Sequence, residues 1–207
     1  MAAGGKGANQ AVAAARAGGN VSFLARVGDD MVGRQALEGF ERDGIDLQHV
    51  LRDETAPSGV ALIFVAEDGE NSIGVAAGAN GQLAPADVDR AKTCIESAAM
   101  LVMQLETPLE TVQRAARIAA AASVPVILNP APAQALGDDL LACVSILTPN
   151  QSEAELLTGT PVTGLESAAD AARKIQAKGV ETVILTMGAQ GALVASPPFS
   201  GSVPALP

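Results

Sequence analysis

The sequence predicts an α/β protein built on a central, mostly parallel sheet, and three observations point there. From Val21 onward, short apolar runs alternate with stretches of helical periodicity, the rhythm of strand-helix-strand units. The runs show little in-out alternation, as expected of strands covered on both faces. The 207 residues suffice to bury one core without disulfide or metal staples, so a single domain over residues 1–207 is expected.

In chain order, GGKGANQ (Gly4 to Gln10) opens a helix running from about Asn9 to Ala17, which Gly18-Gly19 ends because glycine accepts the positive φ of a helix stop. VSFLARV (Val21 to Val27) reads as a strand, and Asp29 and Asp30 cap a helix from Met31 to about Asp43 by accepting its free N–H groups. GVALIFVAEDGENSIGVAAG holds two β-rich runs around Asp68-Gly69, a hairpin signature. This hairpin, about residues 58–75, breaks the α/β rhythm and is either a projecting flap or an antiparallel edge of the main sheet. Helices follow over Pro85 to Ser97 and Pro108 to Ala122, with strands at Met100 to Leu105, Pro125 to Asn129, Ser145 to Thr148 and Thr182 to Thr186. A helix over Leu165 to Lys178 places Leu165, Ala168, Ala172 and Ile175 on one face, the pattern of core packing.

Composition removes several classes of function. A net charge of −10 repels nucleic acid backbones and anionic lipid, which are held by Lys and Arg. No Trp, no Tyr and four Phe leave few platforms on which bases could stack. Hydrophobic residues reach 48%, yet the longest uncharged apolar stretch, Ile118 to Leu128, contains Pro125 and is too short to cross a bilayer. No basic-then-apolar leader opens the chain, so a cytoplasmic location is expected. Cys94 and Cys143 lack metal-ligand spacing and read as small buried hydrophobes, and the lone His49 builds no metal cluster. A small-molecule site is what remains.

Four segments carry the polar chemistry. GGKGANQ looks like a phosphate loop, but Lys6 is followed by Gly7 where a P-loop needs the magnesium-binding Ser or Thr. Only three residues precede Gly4, so no strand leads into a dinucleotide fingerprint. The loop either lets a ligand approach its backbone closely or is a glycine-rich helix entry capped by Asn9. Glu106 ends the strand MLVMQLE, at the edge where α/β sheets bind ligands, or is a solvated loop carboxylate. Asn150 and Glu153 in TPNQSEAE have capping-box spacing at a strand-to-helix turn. TMGAQG (Thr186 to Gly191) either cradles phosphates through backbone N–H groups or turns a hairpin into ALVA.

Taken in order, GGKGANQAVAAARAG, VGDDMVGRQAL, SGVALIFVAEDGEN, GAN, MQLETPLE, LNPAPA, TPNQSEAELLTG and TMGAQGALV closely resemble the ribokinase family of PfkB-type sugar kinases, which also holds fructokinases and adenosine kinase. MQLE and LNPAPA point to the ribokinases within it. The resemblance implies a ribokinase-like three-layer α/β fold with a small β lid, formed in part by the 58–75 hairpin. It implies ATP-dependent phosphorylation of D-ribose to D-ribose 5-phosphate, with Mg²⁺ and a monovalent cation, K⁺, and a homodimer made through the lid. Gly5, Lys6, Gly7, Ala8, Asn9 and Glu106 would then meet ribose. Asn150 and the segment Thr186, Met187, Gly188, Ala189, Gln190 and Gly191 would line the ATP site, and Glu153 would organise Mg²⁺ through water.

The resemblance also implies parts that this chain does not spell. The family's first strand carries an Asn and an Asp for the sugar, and its later Gly-Ala-Gly-Asp motif carries the general base. Here SPPFSGSVPALP follows Ala195, and no Asp occurs after Asp170. The expectation is therefore a chain shortened at both ends, with a divergent tail over 197–207, poor solubility and no ribose turnover of its own. Another sugar or nucleoside kinase of the family, or a non-catalytic binding module, stays open as an alternative.

Overall fold

Residues 4–65 and 71–205 are described by the computed structural model, and the chain divides into two units, Met1–Ala91 with Glu106–Thr111, and Lys92–Leu105 with Val112–Pro207. The first unit opens with α1 (Lys6–Arg16), which starts ahead of the expected Asn9. Gly5 is the cap residue, at φ 97, a backbone state that a side chain disfavours, and its carbonyl accepts from Asn9 N–H at 2.9 Å. Asn9 therefore lies inside the first turn and does not cap the helix. Ala11 of α1 is buried with Phe40 and Ile45, and Val12, Ala15 and Phe23 pack against them. Phe23 meets Phe40 edge to face at 5.3 Å, a favoured aromatic geometry.

Strand β1 (Ala25–Gly28) pairs in parallel with β2 (Val50–Asp53), and α2 (Met31–Arg42) falls between them in sequence. Asp30 caps α2, accepting from Gly33 N–H at 2.7 Å, whereas Asp29 lies exposed, 3.9 Å from Arg34. β3 (Val60–Val65) and β4 (Asn71–Ala76) form an antiparallel sheet of their own, with Val60 opposite Ala76. The hairpin is thus separate from the main sheet. Its Asp68-Gly69 turn lies outside the described residues.

Two polar clusters fix the base of this unit. Ser58 donates to Asp30 through its hydroxyl at 2.8 Å and its N–H at 2.7 Å, and its oxygen accepts from Gly28 N–H at 3.0 Å. These bonds tie the entry to β3 to the start of α2. Arg26 on β1 donates to Asp53 at 2.8 Å, to Asp87 at 3.3 Å and to Gln82 O at 3.2 Å. Both carboxylates are buried, and a buried charge persists only when paired in this way. Asp87 sits in α3 (Pro85–Arg90) and also accepts from Ala84 N–H and from Arg90.

In the second unit the expected Pro85-to-Ser97 helix has broken at Ala91, and α4 (Lys92–Glu96) is a separate turn. There follow β5 (Leu101–Met103), α5 (Leu109–Ala121), which starts in the first unit, β6 (Val126–Leu128), α6 (Asp138–Leu141), β7 (Ile146–Leu147) and α7 (Gln151–Thr158). Then come α8 (Leu165–Gln176), β8 (Thr182–Thr186), β9 (Ala192–Ala195) and β10 (Ser200–Val203). The six strands lie in the order β10-β9-β8-β7-β6-β5, with β5 to β8 mutually parallel and β9 and β10 added antiparallel. Leu128, Leu147, Leu185 and Ile175 are fully buried in the unit's core. Of the predicted α8 stripe, Ala168, Ala172 and Ile175 are buried, but Leu165, the first residue of the helix, is exposed.

The tail brings a further strand. Ser196-Pro-Pro-Phe199 makes a turn in which Ser196 N–H and hydroxyl both donate to Phe199 O, at 2.8 and 2.9 Å, and β10 returns along β9. Gly191 lies opposite this strand's end, at φ 87, where a Cβ would come within 2.0 Å of Val203 O. Only glycine fits there.

Candidate functional site

The GGKGAN segment is the N-terminus of α1, so its N–H groups are the unsatisfied donors of a helix start. Lys6 N–H donates to Glu106 Oε2 at 2.7 Å, across 100 residues of chain. Gly5 lies against the same carboxylate, and its positive φ of 97, not crowding, is what favours glycine there. Glu106 is half-buried and Lys6 and Asn9 are exposed. The structure therefore gathers the predicted residues Gly5, Lys6, Gly7, Ala8, Asn9 and Glu106 into one cluster that offers amide donors, an ammonium and a carboxylate acceptor. Glu106 is a structural partner of the loop and not a solvated bystander. The neighbouring Gln10 has its buried Oε1 without a hydrogen-bond partner.

The second predicted cluster gathers where the parallel strands of the second unit end. Asn150, the residue before α7, accepts from Glu153 N–H through Oδ1 at 2.8 Å, and Asn150 N–H donates to Glu153 Oε2 at 2.8 Å. This reciprocal pair is a full capping box. Glu153 is buried while Asn150 is exposed. Asn150 also forms a parallel bridge with Thr186, at the end of β8, where Thr186 N–H donates to Pro149 O at 2.9 Å. Gly188, Ala189 and Gln190 form a short 3₁₀ turn directly after β8, exposed to solvent, whereas Met187 is buried. Met187 N–H donates to Gly191 O at 2.8 Å, so the TMGAQG segment is the turn that connects β8 to β9.

No group of three or more His, Cys, Asp or Glu side chains among the described residues is placed to hold a metal ion directly. Hollows of about 360 Å³ beside the start of α8 and about 280 Å³ around Val124 and Cys143 contain none of the predicted residues. No helix among the described residues is long and apolar enough to cross a membrane. Sequence reasoning gave no role to Ser58, Arg26, Asp53 or Asp87, which are joined by bonds that span 27 to 61 residues of chain. Only the VGDD and SGV segments, singled out as motifs, hint at the Asp30–Ser58 contact.

Comparison with known proteins gives the family. The model of the pfkB family carbohydrate kinases matches residues 1–207, a span that takes in the tail expected to diverge. The chain is 47% identical to a ribokinase of Haemophilus influenzae over 94% of its own length and 63% of the relative's. It is 42% identical to a deoxyribokinase of Salmonella typhi, over 92% of this chain and 62% of that one. The chain thus spans a little under two thirds of the length of these relatives. The solved structure of Arabidopsis thaliana ribokinase complexed with ribose and ATP superposes with a TM-score of 0.91 at 30% identity, covering 99% of this chain and 67% of that one. The ribokinase-like fold expected from the motifs is the fold found. With its whole length inside the family match and its backbone superposing on such a structure at a TM-score of 0.91, the chain belongs to the pfkB family of carbohydrate kinases.

Proposed function

We propose that this chain supplies the sugar-binding and nucleotide-binding residues of a cytoplasmic ribokinase, which moves the γ-phosphoryl group of ATP to the terminal hydroxyl of D-ribose. The contact between Glu106 and the Lys6 N–H at 2.7 Å carries the reading. A helix N-terminus attracts anions, but here a carboxylate already occupies it and repels a phosphate. A polyol, by contrast, needs neighbouring donors and acceptors. Lys6, Asn9 and the Gly7 and Ala8 amides donate or accept, and Glu106 accepts from sugar hydroxyls, so a ligand lacking a hydroxyl leaves polar groups unpaired and is rejected.

ATP belongs to the second cluster. Asn150 contacts the nucleotide, and the exposed turn of Gly188 to Gln190 leaves room for it. Glu153 fits Mg²⁺ held through water, because Mg²⁺ keeps several of its own waters and takes few carboxylates besides phosphate oxygens. Bound there, the ion would neutralise charge on the transferring phosphoryl group. Among the described residues no group of three or more His, Cys, Asp or Glu side chains is placed to hold K⁺. The 42%-identical deoxyribokinase favours 2-deoxyribose as the second candidate sugar.

Separate calorimetric titrations of ribose and MgATP test the assignment. Asn9→Ala should weaken ribose binding while ATP binding holds, since a lost hydrogen-bond partner costs about 1–3 kcal/mol, roughly 5- to 150-fold. Equal losses for both ligands overturn it. In the full-length protein, ribose-dependent ADP release, compared with 2-deoxyribose, then identifies the sugar.

A further inference from the structure

The LNPAPA motif has no role in the reading above, yet its asparagine stands at the end of the parallel sheet. Asn129 follows β6, and its N–H donates to Met103 O at 2.9 Å, which prolongs the pairing with β5. On the other side Leu128 is paired with Leu147, and Thr148 N–H donates to Leu128 O at 3.0 Å. The next rung of a parallel ladder would run from the N–H of residue 130 to Thr148 O. Residue 130 is proline and has no N–H to give. The Asn129 side chain supplies the missing donor, with Nδ2 3.0 Å from Thr148 O and 3.3 Å from Thr148 Oγ1.

The substituted rung sits directly ahead of the second cluster. Thr148 leads into Pro149, whose carbonyl accepts from Thr186 N–H, and then into Asn150, which locks to Glu153 from both directions. Pro149 is fully buried, so the Thr148–Asn150 turn has little freedom once Thr148 is held. We propose that Asn129 is a positioning residue of the nucleotide site: its side-chain amide replaces the rung that Pro130 removes, and so fixes the turn that carries Asn150 and Glu153. This inference rests on the assignment of Asn150 and Glu153 to MgATP made above.

A double-mutant cycle on the 207-residue chain tests it, with MgATP titrated into Asn129→Ala, Asn150→Ala and the double variant. Asn129→Ala should weaken MgATP roughly tenfold, the loss of one to two hydrogen bonds. Ribose binding should be unchanged, which a general loss of structure would not allow. If Asn129 acts through Asn150, the double variant binds no more weakly than Asn150→Ala alone. Asn129→Asp, which keeps the shape and removes the donor, should repeat the result and serves in place of the alanine variant if that one fails to fold. Additive losses, or full MgATP affinity in both Asn129 variants alongside a loss in Asn150→Ala, overturn the positioning role. Full affinity in Asn150→Ala overturns the nucleotide assignment beneath it.

Discussion

Glu106 commits one oxygen to the Lys6 amide, so its removal acts on the sugar loop as well as on a sugar. Glu106→Gln keeps a carbonyl acceptor but loses the charge, and charge-assisted bonds are roughly twice as strong as neutral ones. Ribose affinity should fall about tenfold in the glutamine variant and further in Glu106→Ala, with MgATP affinity intact. Titration of each ligand decides it, and unchanged ribose binding in both variants rejects the assignment. Asp53 answers to pH. Its carboxylate accepts from Ala56 N–H, then from Thr55 hydroxyl and N–H, with Arg26 beside it, and these hold its pKa far below the usual carboxylate value. A depressed folded pKa contributes stability above the unfolded pKa of about 3.9 and loses it as pH falls below that value. The stability gap between the wild-type chain and Asp53→Asn, from urea unfolding, should therefore be widest near neutrality and narrow below about pH 4. A gap that stays constant down to pH 2.5 contradicts this. Local polar patterns of this kind are legible in sequence when they span one turn, as the Asn150–Glu153 box does. The Lys6–Glu106 bond is not, because nothing in the sequence around either residue encodes a partner 100 residues away.

At the level of elements, sequence reading found the strands that carry apolar, β-rich runs, whether central like β6 and β8 or at an edge like β5. The VLRD of β2 is short and half charged, and Pro197-Pro198 ahead of β10 signals a stop and not a strand. Both strands owe their existence to a partner already in place, β1 and β9 respectively. The break at Ala91 was hidden for a similar reason: helical periodicity continues through it, while Ala91 N–H is shared between Asp87 O and Val88 O, a tightened last turn. Gly191 gives the tail a direct test. Gly191→Ala imposes a left-handed state costing about 1–2 kcal/mol and drives a Cβ into Val203 O. Thermal unfolding should drop by several degrees, and amides of Gly201 to Val203 should exchange faster. An unshifted melting curve rejects the close approach.

Over the whole molecule, the two-stranded hairpin β3–β4 leaves apolar side chains in water, with Val60 44%, Leu62 64% and Val75 68% exposed. Such residues on a free β-ribbon are typical of a surface that another protein covers. The homodimer that the family resemblance implies would pair this hairpin with a second copy, and Leu62→Lys should then shift sedimentation from dimer to monomer while leaving the melting temperature nearly unchanged. A monomeric wild-type chain at tens of micromolar sinks the pairing. The α/β class and the presence of the hairpin were legible because both follow from periodicity and turn residues, whereas its separation from the main sheet is supplied by the structure. The division into two units was not, because Glu106 to Thr111 belongs with the first ninety-one residues, a return of the chain that no local pattern announces.

That return sets an order of events during synthesis. The GGKGAN loop leaves the ribosome well ahead of its carboxylate anchor, which is made 100 residues later. At about 5–20 residues per second, the nascent loop waits roughly 5–20 s with its helix-start amides facing water. Synonymous codons that slow translation between Gly7 and Glu106 lengthen that exposure without altering a single contact in the finished protein.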